Sequence, residues 1–288
     1  MKKLFLLSLI TICIPLTQAQ LLWKVTGKGL NHPSYIFGTH HLIPISFLDS
    51  VPGLYKAFNS SKVVIGEIVT SNVDAASKIQ QAAIMPKHIN IKDLLSSEEY
   101  DAVDKEIKLE LKMGLNEIGI MHPALILTLY EIEVYKRITG YKEDVQSDSY
   151  FQLVATEDGK QVIGLETVEQ QIDLLFGNKN LERSADLLVE AIQNKNHMIV
   201  EIVELNNTYK LGKIDDLVQK AKQTSGYSVM TNEEYNNLVD KRNSEWINKL
   251  PDLFKQNSCF IAVGALHLGG ENGLVKKLQQ LGYKVKPM

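Results

Sequence analysis

Two segments from opposite ends of the chain share one grammar. Tyr35-Ile36-Phe37-Gly38-Thr39-His40-His41 and Phe260-Ile261-Ala262-Val263-Gly264-Ala265-Leu266-His267 each run from an apolar stretch into a glycine, with a histidine three residues later. Such an order places an imidazole just past a strand end, where α/β proteins often bind ligands, and glycine lets the backbone turn or approach a ligand closely. A third segment, Val63-Val64-Ile65-Gly66-Glu67-Ile68, sets a carboxylate in an otherwise apolar run. Burying that charge calls for a cation, a metal or hydrogen-bond donors beside it. Two neutral imidazoles and a carboxylate suit a divalent transition metal (Mn, Co or Zn), and a ligand position left to water would permit metal-assisted hydrolysis. The plainer alternatives are that each histidine is a hydrogen-bonded structural residue and that Glu67 pairs with Arg242 or another cation.

His40 and His41 point to opposite faces if the strand continues, so only one joins such a site directly, and His41 is the expected ligand beside His267 and Glu67. Gly38, Thr39, His40 and Gly264 are site candidates by position. Val162-Ile163-Gly164-Leu165-Glu166 is a further apolar run ending in an acid, which makes Glu166 a second candidate catalytic carboxylate. Thr167 and Gln170 behind it have capping-box spacing, so Gln170 is either a site residue or a helix cap. Arg242 and Asn243 fall on an expected helix shortly before the second histidine motif; Arg242 either meets a site carboxylate or an anionic substrate group, or is an exposed helical arginine. His32, His88, His122 and His197 lie outside the pattern and read as surface or packing residues.

The elements that must position these residues are readable as runs. Strands are expected at Leu21 to Thr26, Tyr35 to Thr39, Lys62 to Ile68, Gln161 to Leu165, Ser258 to Val263 and Tyr283 to Val285. Ser96 with Glu99 and Thr231 with Glu234 have capping-box spacing, Pro123 suits a first helical turn, and Leu181 to Leu205 keeps one helical apolar stripe. Strands cluster at both ends with helices between. The expected fold is therefore α/β: a central mixed β-sheet built from N- and C-terminal segments, surrounded by helices, with a helical insertion from roughly 70 to 150. Neighbouring strands in that sheet would bring His41 and His267 together.

Lys2-Lys3, an apolar run from Leu4 to Leu16 and Thr17-Gln18-Ala19 have the order of a secretory signal peptide, expected over residues 1–19 with cleavage after Ala19. Residues 20–288 then form a single domain in a periplasmic or extracellular setting, with no stable membrane span once the signal is gone. Losing Lys2 and Lys3 takes the formal charge from −3 to −5, and the remaining cations are scattered among acids, which argues against a nucleic-acid partner. Of the two cysteines, Cys13 leaves with the signal and Cys259 sits in an apolar run, as a buried strand residue.

Taken together these residues resemble the TraB/GumN family of bacterial proteins, related to the Tiki metalloproteases and grouped with the ChaN/erythromycin-esterase-like folds. The resemblance rests on Trp23, Phe37-Gly38-Thr39-His40-His41, Glu67, His122-Pro123, Gly164-Leu165-Glu166-Thr167 with Gln170, Arg242-Asn243 with Trp246, and Val263-Gly264-Ala265-Leu266-His267-Leu268 with the glycines that follow. It implies that Gly38 to His41 and Gly264 to His267 are metal-site motifs, with Glu67 the accompanying acid, and that the substrate is a peptide or protein. It also implies an alternative, a non-catalytic protein that sequesters a peptide, as in the TraB type associated with pheromone shutdown. His40 stands where the family position is often apolar.

Overall fold

The computed structural model describes residues 20–70, 73–143, 145–177, 181–223 and 230–288. The expected signal peptide lies outside them. Six strands form one mixed sheet: β1 (Leu22–Thr26), β2 (Ser34–Thr39), β3 (Val63–Gly66), β4 (Gln161–Gly164), β5 (Cys259–Gly264) and β6 (Lys284–Pro287), in the order β4-β3-β5-β2-β1-β6. The pairs β4/β3, β3/β5 and β5/β2 are parallel, whereas β2/β1 and β1/β6 are antiparallel.

Sequence dictates which strand sits where. β2, β3 and β5 are almost wholly buried along their length, as parallel strands covered on both faces must be, and they read as unbroken apolar runs. β1 and β6 are only partly buried, through Leu22, Val25 and Val285, and Pro287 falls on the sheet edge, where its missing N–H costs least. Each parallel neighbour is reached through helices, so β2, β3, β4 and β5 all point their C-terminal ends the same way.

The strand expected over Lys62 to Ile68 stops at Gly66, which puts Glu67 just past the strand end instead of within it. Leu165 N–H donates to the Gly66 carbonyl and Glu166 N–H to the Glu67 carbonyl, so the two strand ends stay joined while their acids emerge.

The capping boxes at Ser96/Glu99 and Thr231/Glu234 form, and Pro123 occupies the first turn of its helix. The stripe from Leu181 to Leu205 is two helices, Leu181–Gln193 and Lys195–Lys210, because Asn194 leaves helical geometry (φ −103°, ψ 25°). Those helices share a core with Ser97–Leu111 and Pro123–Thr139, built on residues such as Ile107, Tyr130, Val134, Leu188 and Met198. The helical insertion therefore has a second core of its own, completed by helices from beyond β4. The main core packs both sheet faces and includes Phe37, Phe151, Phe260, Trp246 and Cys259. Burial pushes the Cys259 thiol up to about 11, so it is an inert packing residue.

Candidate active site

Four adjacent parallel strands each deliver one acid or imidazole at the same edge. In spatial order these are Glu166 after β4, Glu67 after β3, His267 after β5 and His41 after β2. The carboxyl edge of a parallel sheet is where open α/β folds bind ligands. Close approach of these loops needs glycine at two strand ends in particular. A Cβ on Gly164 would lie 2.9 Å from the Glu166 carbonyl oxygen and 3.2 Å from the Ile68 Cα, and one on Gly264 would meet Glu67 Oε1 at 3.3 Å.

Arg242, on the helix Lys241–Gln256, fills the space between three of these residues. Its Nη2 donates to Glu67 Oε2 (2.5 Å) and to Glu166 Oε1 (2.5 Å), its Nε donates to Glu166 Oε2 (3.0 Å), and its Nη1 lies 3.1 Å from His267 Nε2. Nη1 also reaches the Leu238 carbonyl, and the guanidinium lies over the Trp246 ring, 4.7 Å from its centre. The planar fork of arginine makes this possible; a lysine offers a single point charge. The cluster is shielded, with the Arg242, Glu67 and Glu166 side chains 12%, 18% and 4% exposed.

Glu67 Oε1 also accepts the Gly264 N–H at 2.9 Å and lies 3.8 Å from His267 Nε2. Burial alone would raise its carboxyl; the charges of His267 and Arg242, with the Gly264 N–H, bring it down to about 2. Such an acid stays ionised across the working range and is a weak proton acceptor. Burial likewise lowers His267 to about 4, so its ring is neutral.

Asn243 sets the tautomer of that ring. Its Nδ2 donates to the carbonyls of His267 (3.1 Å) and Asn272 (2.9 Å), which leaves Oδ1 facing His267 Nδ1 at 2.8 Å. Nδ1 therefore carries the hydrogen and Nε2 the lone pair, into which Arg242 donates. The Trp246 ring packs on His267, with centroids 4.3 Å apart.

The two histidines after Gly38 go separate ways. His40 lies against Tyr135 and Tyr209, its Nδ1 accepts the Leu42 N–H at 3.1 Å, and burial lowers it to about 4. His41 is 58% exposed at its side chain and its Nδ1 meets Asp148 Oδ1 at 3.1 Å. Desolvation opposes the charged ring, but the Asp148 hydrogen bond and charge, with the charge of Glu67, raise its pKa above the ordinary histidine value. Gly38 accepts a hydrogen bond from the Tyr209 hydroxyl at 2.8 Å, and the buried Thr39 hydroxyl has no hydrogen-bond partner among the described residues.

Gln170 is a cap: its Oε1 accepts the Thr167 N–H and its own N–H donates to Thr167 Oγ1. The next residue reaches the site instead, with Gln171 Nε2 donating to Glu166 Oε1 (3.0 Å) and Glu67 Oε2 (3.3 Å). Its neighbour's capping pattern masked it in the sequence. Asp148 was equally unmarked, because nothing in the linear chain ties it to a histidine 107 positions away. The helix Ser147–Glu157 that carries it is anchored by Ser147 Oγ on the His40 carbonyl and by Gln152 on the Ile68 carbonyl. His122 caps its own helix, accepting the Ala124 N–H at 3.2 Å, while His32, His88 and His197 are exposed.

Glu166 and Arg242 form part of the wall of a groove of about 1050 Å³. Its lining mixes apolar side chains, Ile79, Leu125, Leu174, Phe176 and Leu238 among them, with charged ones such as Glu131, Glu234 and Arg183.

A metal at the strand ends would need His267 Nε2 and the Glu67 carboxylate as donors. Both are engaged by Arg242, and His41 is turned to Asp148. Among the described residues no three His, Cys, Asp or Glu side chains gather as a ligand group. The residues in this arrangement do not fit a metal; the cation among them is a guanidinium.

A family model described as the TraB/PrgY/gumN family matches residues 21–287. The metalloprotease TIKI1 of Xenopus tropicalis is 23% identical over 311 residues, covering 88% of this chain and 59% of that protein. The metalloprotease TIKI2 of Danio rerio is 23% identical over 320 residues, covering 92% of this chain and 60% of the relative. The chain thus spans about 60% of the length of these curated relatives. No solved structure matches it.

Proposed function

Because the chain belongs to the TraB/PrgY/gumN family and its curated relatives are metalloproteases, we propose that it is a hydrolase of peptide bonds working at the edge formed by the ends of β2, β3, β4 and β5. One observation carries the reading: four neighbouring strands end in Glu166, Glu67, His267 and His41 at one sheet edge, the first three around a shielded cation, and Glu166 and Arg242 line a groove wide enough for a peptide.

The residues divide the work by their surroundings. His41, exposed and braced by Asp148, is the general base: its other ring nitrogen takes a proton from water as the water oxygen bonds to the carbonyl carbon. The N–H donors of Arg242 are all taken by Glu67, Glu166, His267 and the Leu238 carbonyl, so the guanidinium serves to hold the strand ends in register and makes no hydrogen bond to the carbonyl oxygen. The carbon–nitrogen bond then breaks, and His41 returns the proton to the leaving amine. Asn243 and Trp246 keep His267 fixed behind Arg242. Glu67 and Glu166 act as holders of the cation in this reading, and no step passes through a metal.

Export through residues 1–19, release into the periplasm or outside the cell, and a single domain over 20–288 belong to the same reading. No helix among the described residues is long and apolar enough to cross a membrane.

The test is cleavage of a peptide library by the purified chain, read by mass spectrometry, with His41→Gln and Asp148→Asn beside it. Cut products from the wild type that His41→Gln fails to make support hydrolysis. Peptides retained intact and released unchanged would instead establish the sequestering alternative in the same groove.

A further inference from the structure

We infer that Arg242 is the resident cation of this site, and that its guanidinium closes to a divalent metal the position that His267, Glu67 and Glu166 surround. The inference takes its location from the hydrolase reading but concerns binding, so each can fail alone.

Three arrangements support it. The guanidinium makes at least one close contact with each of the three residues, and its forked contact with Glu166 is bidentate, through Nε and Nη2. A metal that took both Glu67 and Glu166 would leave a shielded guanidinium with no carboxylate, a costly arrangement. The lone pair of His267 Nε2 is also committed. Since Asn243 Nδ2 already serves two carbonyls, its Oδ1 must accept from Nδ1–H, and the ring is left with one acceptor nitrogen, which faces Arg242. Finally, Arg242 is held from outside the donor set, by the Leu238 carbonyl and the face of Trp246, so it is fixed independently of the acids. A metal ion entering here would have to expel a side chain that four elements hold.

The experiment is titration of the purified full chain with MnCl2, CoCl2 and ZnCl2 by calorimetry, together with 15N imidazole spectra of His267. The wild type is expected to show no binding that His267→Ala removes, and its His267 is expected to keep the Nδ1–H form with an unshifted Nε2 when Zn²⁺ is added. Arg242→Gln frees the donors and is expected to gain one site for Zn²⁺ or Co²⁺, at least about tenfold tighter than any in the wild type and lost again in Arg242→Gln/His267→Ala. Melting curves establish that each variant is folded. Should Arg242→Gln not fold, Arg242→Lys takes its place, because a point charge cannot fork to both acids and the ring, and it is expected to bind Zn²⁺ more tightly than the wild type.

One equivalent of metal on the wild type, lost in Glu67→Gln or His267→Ala, or a Zn²⁺-dependent shift of His267 Nε2, overturns the inference and leaves peptide hydrolysis standing. A folded Arg242 variant that gains no site overturns it as well, since arginine would then not be what keeps metal out. Absence of any peptide cleavage, with these binding results as expected, defeats the hydrolase reading alone.

Discussion

Arg242 and Lys195 are each held by two glutamates, in different kinds of surroundings. Lys195 starts the helix Lys195–Lys210 and pairs with Glu106 and Glu110 on the helix Ser97–Leu111; Arg137 shares Glu110, and the Tyr130 hydroxyl donates to Glu106. Every member of that cluster comes from a helix face, and Arg137 is 49% exposed. Around Arg242 the partners come from three strand ends, a backbone N–H of β5 also serves Glu67, and an asparagine fixes the histidine behind. The helical cluster joins three packed helices, Ser97–Leu111, Pro123–Thr139 and Lys195–Lys210. The strand-end cluster stands at the edge where the sheet can meet a ligand. Charge pairing beside a cavity therefore does not mark a site, since Glu110, Arg137 and Lys195 also line one; what separates the two is that Arg242 is aimed by strand ends at the carboxyl edge of the sheet.

The sharpest way to break this contrast is Glu67→Gln. Leaving the shielded Arg242 short of one carboxylate should cost roughly 3 to 5 kcal/mol in denaturant melts at neutral pH. Acid should expose the same dependence. The Glu67 pKa is depressed in the fold, so its contribution is present above the unfolded value and is lost as pH falls toward about 2. The lowered pKa of His267 acts in the same direction at higher pH: the unfolded chain protonates that ring first, and stability falls between about 6.5 and about 4. Wild-type stability should thus decline in two stages below neutrality, and Glu67→Gln should lack the lower one. A flat profile, or a cost below about 1 kcal/mol, would make the strand-end cluster no different from a surface ion pair.

Next in size is Asn243→Ala. The buried amide satisfies two carbonyls and one ring nitrogen, so its loss should cost about 1 to 3 kcal/mol and release the His267 tautomer, seen in imidazole 15N spectra. Unchanged ring spectra would mean that Arg242 alone orients His267.

Glu110→Gln tests the other side of the comparison. It removes charge from Lys195 and Arg137, but Lys195 keeps Glu106 and the half-exposed Arg137 can turn to water, so the cost should stay below that of Glu67→Gln even though Glu110 itself is shielded, with peptide cleavage unaffected. A cost equal to that of Glu67→Gln would erase the distinction.

What was readable in the sequence follows the same division. Strand ends announce themselves locally, so the runs ending at Gly38, Gly66, Gly164 and Gly264 located all four parallel strands and the residues at their ends. The capping boxes were readable because cap and partner lie three residues apart. Arg242 was visible only as an arginine with two open roles, since its partners lie 25 to 175 positions away. Gln171 and Asp148 enter through tertiary packing, and no short-range pattern precedes them. The break at Asn194 and the strand stopping at Gly66 are boundary effects, set by local backbone geometry within apolar stripes that run on past them.

The smallest effect on stability should accompany the largest on activity, at His41. The ring is mostly exposed, and its fixed contact is with the more shielded Asp148, on a helix anchored elsewhere by Ser147 and Gln152. Replacing it by glutamine should change stability by less than about 0.5 kcal/mol, as for a surface substitution. If the ring is the base, the same change should lower peptide cleavage by about 100-fold or more, the scale on which a positioned proton acceptor contributes. Asp148→Asn keeps the shape and a hydrogen bond but withdraws the charge that raises the ring's proton affinity, so kcat should fall with KM little changed. Glu67→Gln and His41→Gln then differ in kind. The first variant is expected to lose stability and activity together, the second activity alone, and rates and melts measured on the same preparations separate them. Cleavage that survives in folded His41→Gln would take the role of base from His41, and the doubly bonded Glu166 would serve only once Arg242 had let it go.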